Sequence, residues 1–178
     1  MNYKLIIFDI DGTLADRDSH ILLTNVYEWF EVHGYEFLIA LATNQGGVGL
    51  RYWMEKDGFG NPSRFPTEAM AHSHIEIVLN QLPEISQDLL NLNIQICFAY
   101  QSKKSGQWNP IPPGREDDLR WNQDFRKPAP GMLNLALAKA LVYPQETLMV
   151  GDADEDEQAA KAAGCHFQKA SEFFNRTE

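Results

Sequence analysis

LIIFDIDGTL, residues 5–14, is the stretch on which the fold turns. Its first four residues, Leu5 to Phe8, make an unbroken apolar run rather than an alternating one. Such a run suits a strand covered on both faces, the central position of a parallel sheet. It stops at two carboxylates, Asp9 and Asp11, followed by Gly12 and Thr13. In an open α/β sheet, ligands bind just beyond the carboxyl ends of the strands. The paired acids therefore stand where such a fold does its chemistry. Two plainer readings compete: a solvated turn, or the opening of a calcium loop. A calcium loop needs further acids and a closing Glu within about 12 residues. The chain instead continues Thr-Leu-Ala-Asp-Arg-Asp-Ser-His, without that Glu. A turn leaves unexplained why the acids end a buried strand.

Downstream the pattern of apolar strand and polar end recurs. A helical stripe runs over 21–33 and stops at Gly34. A second buried strand, 37–42, ends in Thr43-Asn44-Gln45-Gly46-Gly47. Residues 48–66, broken by Gly58, Gly60, Pro62 and Pro66, read as irregular. Thr67 is placed as the cap of a helix to about Leu82, with another helical turn or two over 84–90. A third strand is expected over 94–99. The least regular stretch, 101–125, carries Lys103, Lys104, Trp108, Arg115, Arg120 and Trp121 among its prolines and glycines. A loop of that length in a compact domain is functional or disordered. Pro130 opens a helix to about Leu141. A fourth strand, 147–150, ends in GDADED at 151–156. An Ala-rich helix over 158–163, a short fifth strand at 165–167 and a last helical turn at 171–174 complete the chain. Strands alternating with helices predict a three-layer α/β/α sandwich around a parallel, Rossmann-like sheet of about five strands, with residues 1–178 as one domain and no large cap domain.

The formal net charge of −10 disfavours broad binding to nucleic acid or anionic lipid. It leaves room for a small phosphorylated substrate in a locally basic pocket. No apolar stretch approaches ~20 residues, so no membrane span is expected. The N-terminus reads as a first strand rather than a signal peptide. Cys97 and Cys165 read as free thiols, which makes a cytoplasmic protein the expectation. His72 and His74, two apart, read as ordinary surface or boundary residues.

Asp9 and Asp11, Thr43 and Asn44, and Asp152, Asp154 and Asp156 all follow expected strands, and Lys127 precedes a helix. Each has a dull reading: a turn hydroxyl, a surface lysine, acids at a helix N-terminus. In this order they resemble the haloacid dehalogenase superfamily of phosphotransferases. The resemblance is carried by DIDGT (9–13), Thr43, Lys127 before Pro128, and GDADED (151–156). TNQGGV (43–48) and RKPAPGM (126–132) are similar to the subclass IIIA-like branch. That branch holds histidinol-phosphate phosphatases, heptose-bisphosphate phosphatases and the phosphatase domain of polynucleotide kinase-phosphatases.

The resemblance implies a Mg²⁺-dependent phosphatase acting through an aspartyl-phosphate. Asp9 is then the nucleophile and Asp11 the acid/base. Thr43 and Lys127 hold the transferring phosphoryl oxygens. Asn44 and Arg126 are candidates for substrate contact. Mg²⁺ falls to Asp9, the backbone carbonyl of Asp11, and Asp152, with Asp156 binding directly or supporting from behind. One departure stands out. Heptose-bisphosphate phosphatases of the branch carry a Cys/His zinc loop before the lysine motif, and Cys97 is the only thiol or imidazole over 97–126. The substrate expected is a small phosphorylated metabolite such as a sugar phosphate or histidinol phosphate. A polynucleotide 3′ end phosphatase and a non-turnover phospho-accepting or binding module are the alternatives.

Overall fold

The computed structural model describes residues 3–84 and 93–176. The run Leu5–Phe8 is strand β1, with all four residues buried. It sits at the centre of a five-stranded parallel sheet with β2 (Leu38–Asn44), β3 (Ile94–Cys97), β4 (Thr147–Gly151) and β5 (His166–Lys169), in the order β3-β2-β1-β4-β5. The period-2 pleat divides β1 between two cores. Ile6 and Phe8 join Val26 and Phe30 of helix α1 (Val26–His33) and Ile75, Val78 and Leu79 of helix α3 (Glu68–Leu79). Leu5 and Ile7 join Met132, Leu133 and Ala136 of helix α4 (Gly131–Ala140) and Ala159 and Ala160 of helix α5 (Asp154–Ala163). A fully buried side chain such as Phe8 stabilises the fold by about 1.5–3 kcal/mol relative to exposure. The expected three layers are thus present, with a covered strand at their middle.

Register then aligns the chemistry. Phe8 pairs with Leu41 of β2 and with Val150 of β4, so Asp9, Thr43 and Asp152 leave three adjacent strands at one edge of the sheet. Among the described residues no helix is long and apolar enough to cross a membrane. The helical turns expected over 84–90 lie, beyond Glu84, outside the described residues.

The structure corrects the expected boundaries in four places. Helix α1 starts at Val26 rather than 21, because Leu22 and Leu23 are drawn back onto the residues after Asp11: Ala15 bridges Leu22, and Leu23 N–H donates to Leu14 O at 2.9 Å. Residues 48–66 are not irregular throughout. Helix α2 occupies Gly47–Asp57 and ends at Gly58, which takes the left-handed φ of 68°. Gly49 concealed that helix from a propensity reading; it lies where a Cβ would collide with the carbonyl oxygen of Phe98, so glycine serves packing there. Helix α5 starts at Asp154, four residues before its Ala-rich part, so its first turn is made of acids. The last helix, α6, is Ala170–Phe173.

The stretch 101–125 is neither disordered nor free. Asn109 is buried; its side chain accepts from Tyr100 N–H at 2.7 Å and donates to Pro110 O at 2.8 Å. Trp121 is buried between Phe98 and Tyr52, and two short 3₁₀ turns, Leu119–Trp121 and Gln123–Phe125, lead into the lysine segment. Asp118 accepts from Arg120 at 2.7 Å and Arg115 at 2.9 Å, and Arg115 also reaches Glu68 of α3 at 3.3 Å. The Arg120 guanidinium beside Asp118 holds that carboxyl down at about 2.

Gly49→Ala is expected to destabilise the protein by about 1–3 kcal/mol, the range for an overpacked contact, because the obstacle is backbone of β3's extension. Gly106→Ala meets nothing within 4 Å, although its φ is 71°, and is expected to cost about 1 kcal/mol. Urea titration of both variants checks the ordering.

Candidate active site

The strand ends converge on one buried cation. Lys127 is only 2% exposed, and its Nζ donates to Asp9 Oδ1 at 2.7 Å and to Asp156 Oδ1 at 2.6 Å. Each of the three reaches the spot from a different element. Asp9 follows β1. Asp156 lies in the first turn of α5, where its other oxygen accepts from Ala153 N–H at 3.1 Å as a helix cap. Lys127 precedes α4, and Asn44 anchors its backbone from both sides: Asn44 Nδ2 donates to Lys127 O at 3.0 Å, and Lys127 N–H donates to Asn44 Oδ1 at 3.1 Å. The carboxamide of Asn44 is therefore committed to placing the lysine.

Electrostatics follows from burial and charge together. Burial works against the Lys127 ammonium, yet Asp9 and Asp156 raise it, so the lysine stays charged. Burial pushes Asp9 up to about 7 against the pull of Lys127, and Asp156 and Asp11 add to the rise. Asp152 is raised by burial and then by Asp156. Carboxylate oxygens of Asp9, Asp152 and Asp156 lie within 4.8 Å of one another. Three carboxylates facing one ammonium leave excess negative charge, and an all-oxygen donor set of this kind fits a hard divalent cation such as Mg²⁺. Gly12 and Gly151 leave the space: a Cβ at Gly12 would collide with the Asp152 carboxylate, and one at Gly151 with that of Asp156.

Asp11 stands apart from this group. Its Oδ2 accepts from Gln45 Nε2 at 2.9 Å, and the same amide donates to the buried Thr43 Oγ1 at 3.1 Å. Gln45 thus ties Asp11 to Thr43. Thr13 donates to Asp152 Oδ1 at 3.5 Å. Arg126 donates to Ala99 O at 3.0 Å, leaving its charge without a carboxylate partner among the described residues, and burial lowers it.

These groups open on a cleft of about 710 Å³, lined by Asp9, Asp11, Asn44, Lys127, Asp152 and Asp156 at its floor. Arg126 and Lys103 form one wall and continue into an adjoining pocket of about 340 Å³ beside Trp108 and Pro128. Arg17, Asp18, His20 and His74 form the other. Of the cations expected from 101–125, only Lys103 reaches the cleft, since Arg115 and Arg120 are spent on Asp118 and Glu68.

Two contributors were not singled out in the sequence. Gln45 had a signal, being an amide at a strand end within TNQGG. Arg176 had none. It donates to the carbonyls of Thr24, Gly12 and Thr13 from the far end of the chain and lies over Phe174, bracing the loop between Asp11 and Asp152 from behind.

Known proteins resemble this chain in sequence and fold. A family model described as HAD-hydrolase-like matches residues 124–168, from the lysine segment through GDADED into β5. The D-glycero-beta-D-manno-heptose-1,7-bisphosphate 7-phosphatase of Neisseria meningitidis serogroup A is 30% identical over 172 residues, covering 90% of this chain and 73% of that protein. Phosphoglycolate phosphatase of Aliivibrio fischeri is 28% identical over 192 residues, covering 92% of this chain and 82% of that protein. Among solved structures, the D,D-heptose 1.7-bisphosphate phosphatase of B. bronchiseptica, complexed with magnesium and phosphate, superposes with a TM-score of 0.60 at 22% identity, over 92% of this chain and 78% of that one. That superposition bears on the fold alone; the sequence likeness to the Neisseria enzyme runs over nearly the whole chain. On that ground the chain belongs to the haloacid dehalogenase superfamily of phosphatases, and is a hydrolase.

Proposed function

We propose that this protein is a Mg²⁺-dependent phosphomonoesterase that hydrolyses a small sugar phosphate through a phosphorylated Asp9. The observation that carries the reading is the buried Asp9–Lys127–Asp156 cluster with Asp152 at the floor of an open cleft. Asp9 Oδ attacks phosphorus, the P–O bond to the sugar breaks, and Asp11 gives its proton to the departing oxygen. Asp11 then takes a proton from the water that attacks the phosphorus. The bond between the Asp9 oxygen and phosphorus breaks, freeing inorganic phosphate and restoring the Asp9 carboxylate beside a protonated Asp11. Gln45 holds one oxygen of Asp11 and so fixes where the other points. Lys127 and Thr43 stabilise the equatorial phosphoryl oxygens. Asp9, Asp152 and Asp156, with the Asp11 carbonyl, would hold Mg²⁺, which neutralises the phosphate dianion among these acids.

Relatives named for a heptose bisphosphate and for phosphoglycolate support a small phosphorylated substrate, as does a cleft of about 710 Å³. A nucleic-acid end loses its main support from the loop. Trp121 is in the core, where no base can stack on it, and the two arginines nearest it are paired. The intact Asp11 favours turnover over simple phosphate acceptance.

Asp9→Asn keeps the shape of the nucleophile without its charge. Phosphate release from p-nitrophenyl phosphate and sugar phosphates is expected to fall by ~10³-fold or more. Chelation should abolish wild-type activity and added Mg²⁺ restore it. Turnover by Asp9→Asn near the wild-type rate would refute the mechanism.

The cluster makes a second prediction, readable without activity. Lys127→Met leaves Asp9 and Asp156 buried and facing each other. In chelator it should lose about 3–5 kcal/mol of stability, the cost of orphaning a buried charge. Millimolar Mg²⁺ should recover part of that loss as a rise in Tm larger than the wild type shows. Equal Tm values in both conditions would mean the three carboxylates are not a cation site.

A further inference from the structure

We propose that His20 and His74 form a paired-imidazole subsite that receives the hydroxyl groups of the substrate's sugar, beyond the reacting phosphoryl. The proposal rests on the phosphatase reading and assigns a specificity role to His74, which the sequence left as an ordinary surface or boundary residue, and to His20, which it did not single out. Their rings stack with centroids 4.1 Å apart and planes 27° from parallel. Both line the same cleft as Asp9 and Asp11. Among the described residues, no hydrogen bond engages a nitrogen of either ring.

His20 is held in place. Its φ is 56°, in the left-handed region that few non-glycine residues visit, although histidine does so more readily than most. Here the surroundings fix it from two sides. The Asp16 carboxylate accepts from Ser19 N–H at 2.8 Å and Ser19 Oγ at 2.7 Å, and His20 N–H donates to Asp16 O at 2.9 Å, which closes the turn. Gln81, just past the end of α3, donates to His20 O at 2.7 Å and accepts from Leu22 N–H at 3.3 Å. The turn after the catalytic acids is thereby fastened to the helix that presents His74, and the two rings are brought face to face. A residue whose backbone is anchored from two sides, and whose ring nitrogens stay unused at the edge of the cleft, is placed to meet a ligand.

The neighbouring charges select the ligand's chemistry. Asp11 and Asp18 line this wall, Asp16 lies beneath the turn, and Arg17 is the wall's cation. An anionic group would meet three carboxylates there. Burial, and then His20, push His74 below the usual histidine range, while Asp11 pulls the other way. A neutral imidazole offers one N–H donor and one acceptor nitrogen, and a sugar hydroxyl can meet either, since it both donates and accepts. A vicinal diol across two stacked imidazoles satisfies all of these groups without adding charge. The opposite wall, with Lys103 and Arg126, is where any second anion of the substrate belongs.

The test compares esters that differ in hydroxyls. Mannose 6-phosphate, sedoheptulose 7-phosphate and D-glycero-D-manno-heptose 1,7-bisphosphate are assayed beside cyclohexylmethyl phosphate, which keeps a ring but has no hydroxyl. Wild type should prefer the best hydroxylated ester in kcat/KM. His20→Phe/His74→Phe, which keeps stacked rings without nitrogens, should lower that preference ratio by about tenfold or more, as expected for two or more lost hydrogen bonds. A preference unchanged in the double variant, or absent from wild type, overturns the proposal. A second arm covers the case of a variant that folds poorly. In the Asp9→Asn chain, the ring-proton resonances of His20 and His74 should shift on titration with mannose 6-phosphate and stay in place with cyclohexylmethyl phosphate. Equal response to both, or none to either, also overturns it. No phosphate release from any ester, p-nitrophenyl phosphate included, would instead refute the phosphatase reading, and the resonance shifts would still decide the role of the imidazoles.

Discussion

The structure depends on a buried ammonium held between two carboxylates. Lys127 cannot be buried uncompensated, because desolvating one charge costs several kcal/mol, and Asp9 and Asp156 face the same difficulty. The three solve it only together. That requirement dictates the placement of three separate segments: the end of β1, the first turn of α5 and the approach to α4. Replacing such a cluster with apolar residues would cost the fold little. Its presence is consistent with the function proposed above, since a buried cation beside a carboxylate suits a transferring phosphoryl group.

Parallel topology makes the convergence possible. Because β2, β1 and β4 are neighbours running the same way, their ends form a single row, and Thr43, Asp9 and Asp152 lie along it. Crossover helices must then return behind the sheet, which puts helix N-termini on the catalytic side. Asp156 exploits this. Its carboxylate caps the first turn of α5 with one oxygen and takes Lys127 with the other. One residue thus serves both helix and site, which explains why the helix begins with acids rather than at its alanines.

The sheet was legible in the sequence because its evidence is local. Unbroken apolar runs bounded by polar residues locate β1, β2, β3 and β4 to within about two residues. The acids and the lysine were legible as a set because each sits at a strand end or before a helix. Helix α2 was hidden by Gly49, whose reason is a carbonyl from Phe98, distant in sequence. The order within 101–125 was hidden likewise: Asn109, Trp121 and Arg115 look like loop residues until Tyr100, Tyr52 and Glu68 are brought beside them. His74 looked like surface because its partner, His20, lies on another element. What periodicity cannot report is a contact between segments far apart in the chain, and the substrate-facing walls of this cleft consist of such contacts.

Those walls also explain how a protein with a net charge of −10 can bind a phosphate ester. Net charge acts over distances that salt screens within about 8–10 Å, whereas the cleft sets its field at contact range. At the floor, Lys127 offsets part of the carboxylate charge, and a divalent cation on Asp9, Asp152 and Asp156 would cancel the remainder. Lys103 and Arg126 bring two cations beside Glu155 on the first wall, while Arg17 stands between Asp18 and the imidazoles on the second. On the reading proposed above, a phosphate ester binds with its phosphoryl at the floor, any second anion toward Arg126 and its neutral hydroxyls toward His20 and His74. Contacts of that kind, remote from phosphorus, would orient the substrate before any catalytic group acts, and such orientation is binding energy that becomes rate.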